Sequence, residues 1–99
     1  MVGIFFAIAE GGSYYNTTLM ISGGSMEVVF DDTYKAYLED ESYGNITIVY
    51  EENISDYMIN AEFKKTGYTN LILEAPDGSK RIFEVTIDRH SYNIEEITQ

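Results

Sequence analysis

Any chemistry in this chain must come from a short inventory: one His, no Cys, 17 Asp or Glu and nine Tyr among 99 residues. His90 could serve as a general base only if folding set it beside a serine such as Ser79 or Ser91 and an acid such as Asp88. No serine lies in the G-x-S-x-G turn that raises a nucleophile above a sheet. The absence of Cys removes thiolate catalysis, Cys-ligated zinc and disulfides together. Paired carboxylates could hydrolyse a glycosidic bond, but with 17 acids the count singles out no pair. A sandwich of this size also has little room for a deep cleft. No enzyme is expected.

Binding chemistry is better represented. Hard cations take clustered carboxylate and carbonyl oxygens, and Asp31, Asp32, Glu39, Asp40 and Glu41 are the acids best grouped to supply them. Calcium is the one ion this grouping suggests, without the spacing of an EF-hand, and no other cofactor is implied. Tyrosines at loop tips or on a sheet face can stack on sugars or anchor a protein partner. Tyr14, Tyr15, Tyr43 and Tyr68 border expected turns and are the candidates for a protein or glycan ligand. The sequons at Asn16, Asn45 and Asn53 would matter only in a eukaryotic secreted chain.

The charge balance sets the class of partner. Seventeen acidic residues against six basic ones give a net charge of −11, a field that repels phosphate backbones and anionic headgroups. Nucleic acid is therefore not an expected partner. A membrane would be met only through an anchor lying upstream.

The elements that would position these residues read as strands. A chain of 99 residues builds one core, burying about 60% of its unfolded surface. Nine Tyr and five Phe, with 44% hydrophobic residues, favour strand over helix. In Thr66 to Asp88, Thr69, Leu71 and Leu73 share one face, as do Phe83, Val85 and Ile87, and Pro76-Asp77-Gly78-Ser79 between them is turn chemistry. This predicts a hairpin.

Further strands are expected at Tyr14 to Ile21, Met26 to Phe30, Ile46 to Tyr50 and Asp56 to Lys64, with Ser22-Gly23-Gly24-Ser25 as a reversal, while the tail from Arg89 to Gln99 reads either as a last strand around Tyr92 and Ile94 or as the beginning of a linker. Thr33 to Glu41 reads either as a short helix, with Tyr34, Tyr37 and Leu38 at helical spacing, or as strand and turn. The pattern is all-β, an antiparallel sandwich of about seven to eight strands.

Residues 1–12 form an apolar leader with two readings. Ala7-Ile8-Ala9 has the small-x-small form of an export cleavage site without a basic region before it, and the stretch is too short to span a bilayer. Alternatively, Ile4, Phe6 and Ile8 alternate as a first strand would. Residues 13–99 are expected to be the sandwich.

Several stretches resemble a known family. Gly24-Ser25-Met26-Glu27-Val28, Ile48-Val49-Tyr50-Glu51-Glu52-Asn53, Thr66-Gly67-Tyr68-Thr69-Asn70-Leu71, the Asp77-Gly78 turn and Phe83-Glu84-Val85-Thr86-Ile87 are similar to motifs of the bacterial immunoglobulin-like domains, the BIg2 module repeated on bacterial surface and secreted proteins. Tyr50 stands where that family usually has Trp. The resemblance covers roughly Ser22 to Asp88. It implies an immunoglobulin-like sandwich serving as an extracytoplasmic structural or adhesion module, with no catalytic residues to carry over.

Overall fold

Alternation of apolar and polar residues builds the centre of the molecule first. The structure, a computed structural model, describes residues 5–8, 17–88 and 91–97. Along β6 (Gly67–Glu74), Thr69, Leu71 and Leu73 are buried, and along β7 (Lys80–Ile87), Phe83, Val85 and Ile87 are buried. The two strands pair antiparallel from Gly67 opposite Ile87 to Glu74 opposite Lys80. Their turn is closed by hydrogen bonds from the Ala75 amide to the Ser79 carbonyl and from the Gly78 amide to the Ala75 carbonyl. The expected hairpin is present, with its inward face in the core.

A second sheet covers that face. β5 (Asp56–Phe63) buries Ile59, Ala61 and Phe63 and is flanked by β2 (Thr17–Ser22) and β4 (Gly44–Glu51). The first sheet has five strands in the order β1-β8-β7-β6-β3, with β1 at Phe5–Ile8, β3 at Lys35–Leu38 and β8 at Ser91–Glu96. Thus β2-β5-β4 faces β3-β6-β7, the arrangement of strands B-E-D and C-F-G in an immunoglobulin constant-type sandwich. β8 and β1 are added beside β7. The fold is all-β, an immunoglobulin-like antiparallel β-sandwich.

Residues 5–8 of the apolar stretch form a strand. β1 runs antiparallel to β8, Phe5 opposite Ile94 and Ile8 opposite Ser91. At the other sheet, β4 begins at Gly44 because a side chain has no room there. A Cβ would lie 1.9 Å from the Glu62 carbonyl oxygen of β5, at a φ of +152°.

One segment departs from the sequence expectation, and a second, left open between two readings, is decided by the structure. Met26, Val28 and Phe30 alternate in sequence but form no strand: Gly23–Met26 is a single helical turn. It ends in a Schellman motif, with the Val28 amide bonded to the Gly23 carbonyl (3.0 Å) and the Glu27 amide to the Gly24 carbonyl (3.3 Å). Glu27 takes the left-handed conformation that motif requires, with φ of 56°. The turn still delivers Met26 and Phe30 into the core.

The other segment is Thr33 to Glu41, which takes its strand-and-turn reading. β3 pairs with β6, Leu38 opposite Leu71, and a 3₁₀ turn at Glu41–Tyr43 carries the chain across to β4 in the facing sheet. Pairing along the open edge of β6 supplies the backbone hydrogen bonds that so short a helix could not supply for itself.

One end of the sandwich is closed by an ion pair. Arg81 of β7 meets Glu96 of β8 in a two-pronged contact, Nε to Oε2 at 2.7 Å and Nη2 to Oε1 at 2.6 Å. The guanidinium also reaches the Glu27 carbonyl, tying the Schellman turn to the five-stranded sheet. Hydrogen bonding from Arg81, more than its charge, holds the Glu96 carboxyl below its ordinary range despite partial burial.

Two expectations follow for stability. Glu27→Gly, which relieves a left-handed residue, raises stability by about 1 kcal/mol in urea unfolding. Glu96→Gln lowers it by roughly 1 kcal/mol at neutral pH. Because the folded pKa of Glu96 lies below its unfolded value near 4.5, its stabilisation is complete above that pH and is lost as pH falls through the folded pKa. The difference in urea midpoint between wild type and Glu96→Gln therefore closes on acidification.

Candidate functional site

Where β3 hands the chain over to β4, the sandwich has a shallow, solvent-open depression of about 440 Å³. Its rim is built by residues from β6, β7, the crossover and the residue after β8. Tyr68, the second residue of β6, is 69% exposed, its ring on the outer face because Thr69 next to it turns inward. Asn70 and Glu84 face each other across β6 and β7 on the same outer surface. Ile97, just past β8 and partly exposed, closes the far side.

Tyr43 anchors the other wall. It ends the 3₁₀ turn, packs partly into the core and is covered by Lys65, whose Nζ lies 4.3 Å from the ring centroid. The Tyr43 carbonyl also accepts from the Lys64 amide. Gly67 backs the ring: a Cβ there would lie 2.7 Å from the Tyr43 hydroxyl, and φ is +132°. Glycine at this position is what lets Tyr43 sit against the first residue of β6.

The acids divide into two groups. Glu39 continues β3 past its last pair, its amide bonded to the Asn70 carbonyl and its carboxylate accepting from Asn70 Nδ2 at 3.3 Å. The Asp40 amide donates to Thr69 Oγ1 at 3.3 Å, and Asp40 Oδ1 accepts from both the amide and the hydroxyl of Ser42. Glu39 and Asp40 also wall a second, adjoining depression with Tyr37 and Ile72. Glu41 stays exposed in the crossover. Asp31 and Asp32 lie before β3, near Tyr57, whose hydroxyl is pushed up first by burial and then by these two carboxylates. Four strand residues, about 13 Å, separate the two groups.

Among the described residues no three acids or histidines are grouped closely enough to hold a metal ion. Three of the aspartates have a local structural task instead. Asp31, Asp40 and Asp77 each accept from the amide and hydroxyl of the residue two positions on, Thr33, Ser42 and Ser79. These hydrogen bonds, the hydroxyl's foremost, lower each carboxyl below its ordinary value. The repeated D-x-S/T spacing marks these turns in the sequence.

Of the four tyrosines singled out above, the structure brings Tyr43 and Tyr68 to one depression together with Glu39 and Asp40. Tyr14, Tyr15 and His90 lie outside the described residues. Ser79 and Asp88 flank opposite ends of β7, about 30 Å apart, so they cannot share a catalytic centre. Asn70, Glu84 and Ile97 belong to the depression but carry no local motif; only strand register places them there.

No protein-family model matches the chain, and no curated protein or solved structure matches it either.

The dependence of Tyr43 on Gly67 can be measured. Gly67→Ala lowers stability by roughly 2 kcal/mol and shifts the Tyr43 ring resonances in NMR spectra, while the resonances of the Pro76–Ser79 turn keep their positions.

Proposed function

We propose that this protein is a non-enzymatic immunoglobulin-like module of the BIg2 kind, acting in adhesion at a bacterial surface or in a secreted protein. The observation that carries the reading is the pairing of a largely exposed aromatic, Tyr68, with the half-buried Tyr43 around one acid-rimmed depression. An exposed Tyr offers a large, rigid, amphipathic contact at low entropic cost, which is why such residues dominate recognition surfaces. The extracytoplasmic setting rests on the resemblance to surface modules. Calcium is left without a defined site in this reading, and nucleic acid is disfavoured by the net charge of −11.

The ligand is a protein or a glycan held at this depression. Screening the wild type and Tyr68→Ala side by side on glycan and peptide arrays tests the proposal. Binding by the wild type, reduced about tenfold or more by the substitution with an unchanged circular dichroism spectrum, is the expected outcome. Binding indifferent to Tyr68 would remove the site from the proposal.

A further inference from the structure

The register of the five-stranded sheet sets three carboxylates in a single row. On the outer face Asn70 of β6 stands opposite Glu84 of β7, and Glu84 stands opposite Glu95 of β8. Glu39 extends the row beyond β6 through its hydrogen bond to Asn70. The row Glu39, Asn70, Glu84, Glu95 thus crosses the strands over about 14 Å.

Glu84 and Glu95 are the unusual pair. Side chains directly opposite on neighbouring strands have Cβ atoms about 5 Å apart, and like charges in that position destabilise a sheet. No basic residue among those described forms an ion pair with either. Arg81, on the same strand as Glu84, is turned to the core-facing side and taken by Glu96. Lys80 faces outward but lies four residues from Glu84, about 13 Å along the strand. Neither glutamate is needed for the core, and a neutral residue at either position would pair more favourably.

On either side of the acidic row lie contacts a protein partner could use. One neighbouring row is Tyr68 and Thr86, and the other is Ile72 and Ile82, with the Ile97 amide bonded to the Ile82 carbonyl. Tyr68 and Ile97 are exposed, and both border the depression that Glu84 lines. An uncharged glycan would leave the opposed carboxylates as they are, and a phosphate polymer would be repelled. A cationic segment removes the repulsion and gains the flanking aromatic and aliphatic contacts.

Building on the adhesion reading above, we infer that the outer face of the five-stranded sheet docks a basic protein segment. Lysine or arginine side chains of that segment bridge Glu39, Glu84 and Glu95, while its apolar groups meet Tyr68 and Ile97. The like-charge pair is a stability cost retained at a binding surface, where local rules of sheet pairing are commonly broken.

The test uses the full chain and a fluorescent nonalysine peptide, followed by anisotropy at low and high salt. Glu84→Gln with Glu95→Gln is compared with Glu52→Gln with Glu62→Gln, which removes the same charge from exposed positions on the three-stranded sheet side. The sheet-face double variant is expected to bind about tenfold more weakly and yet to unfold at a higher urea concentration than the wild type. The control double variant is expected to keep its affinity within about twofold. Equal losses in both variants, or no loss in the first, would overturn the inference by reducing it to the overall field of the molecule. Glycan binding that depends on Tyr68, accompanied by peptide binding indifferent to Glu84 and Glu95, would overturn the basic partner while leaving the adhesion reading intact. If Tyr68→Ala changes binding of no probe, both readings fall.

Discussion

Between the two sheets, Ile59, Ala61 and Phe63 from one side meet Leu71, Leu73, Phe83, Val85 and Ile87 from the other, all essentially removed from water. Burial of each large side chain of this kind is worth about 1.5–3 kcal/mol, and it happens only if β5, β6 and β7 keep strict two-residue alternation. A slip of one residue in any of them would turn the core outward. The same alternation that fixes the inner face therefore fixes the outer one, residue by residue. Tyr68, Asn70 and Glu84 are on the surface because Thr69, Leu71, Phe83 and Val85 are inside.

The crossover from β3 to β4 adds what a flat sheet face lacks. A strand that ends in one sheet and restarts in the other leaves a corner, and the 3₁₀ turn at Glu41–Tyr43 fills it. Asp40 caps the turn through Ser42 and is tied to β6 through Thr69, so the acid and the Tyr43 ring are held by the core and not by the loop itself. The depression is thus a by-product of sandwich topology, furnished with side chains whose positions are over-determined from below.

Much of this was legible in the chain. The hairpin was marked twice, by alternation and by Pro76-Asp77-Gly78-Ser79, and both signals agreed. β3 was left open between helix and strand because four residues beside an edge are decided by the partner strand, which no local window contains. Met26, Val28 and Phe30 misled because a Schellman turn can deliver alternate residues to the core as a strand does, and Glu27 gives no compositional hint of its left-handed backbone. Tyr50 shares its parity with buried Ile46, yet it is 53% exposed and meets Tyr57 at the sandwich end, since parity gives the face and not the distance from the core. The site was half legible: Tyr43 and Tyr68 stood out as turn tyrosines, whereas Glu84 became notable only once β8 brought Glu95 against it.

The pairing of β1 with β8 has a mechanical meaning. Because the two strands are antiparallel, with Phe5 beside Ile94, the first residue of β1 and the last residues of β8 lie at the same end of the sheet. Tension applied between those two points would load the backbone hydrogen bonds of the ladder one rung after another, as a zipper is opened, instead of sharing the load among all rungs in shear. The five-stranded sheet would give way at β1 under small force while the facing β2-β5-β4 sheet and the β6–β7 hairpin stayed folded. Under traction between those points β1 is the compliant element of the fold, released before the central strands carry load.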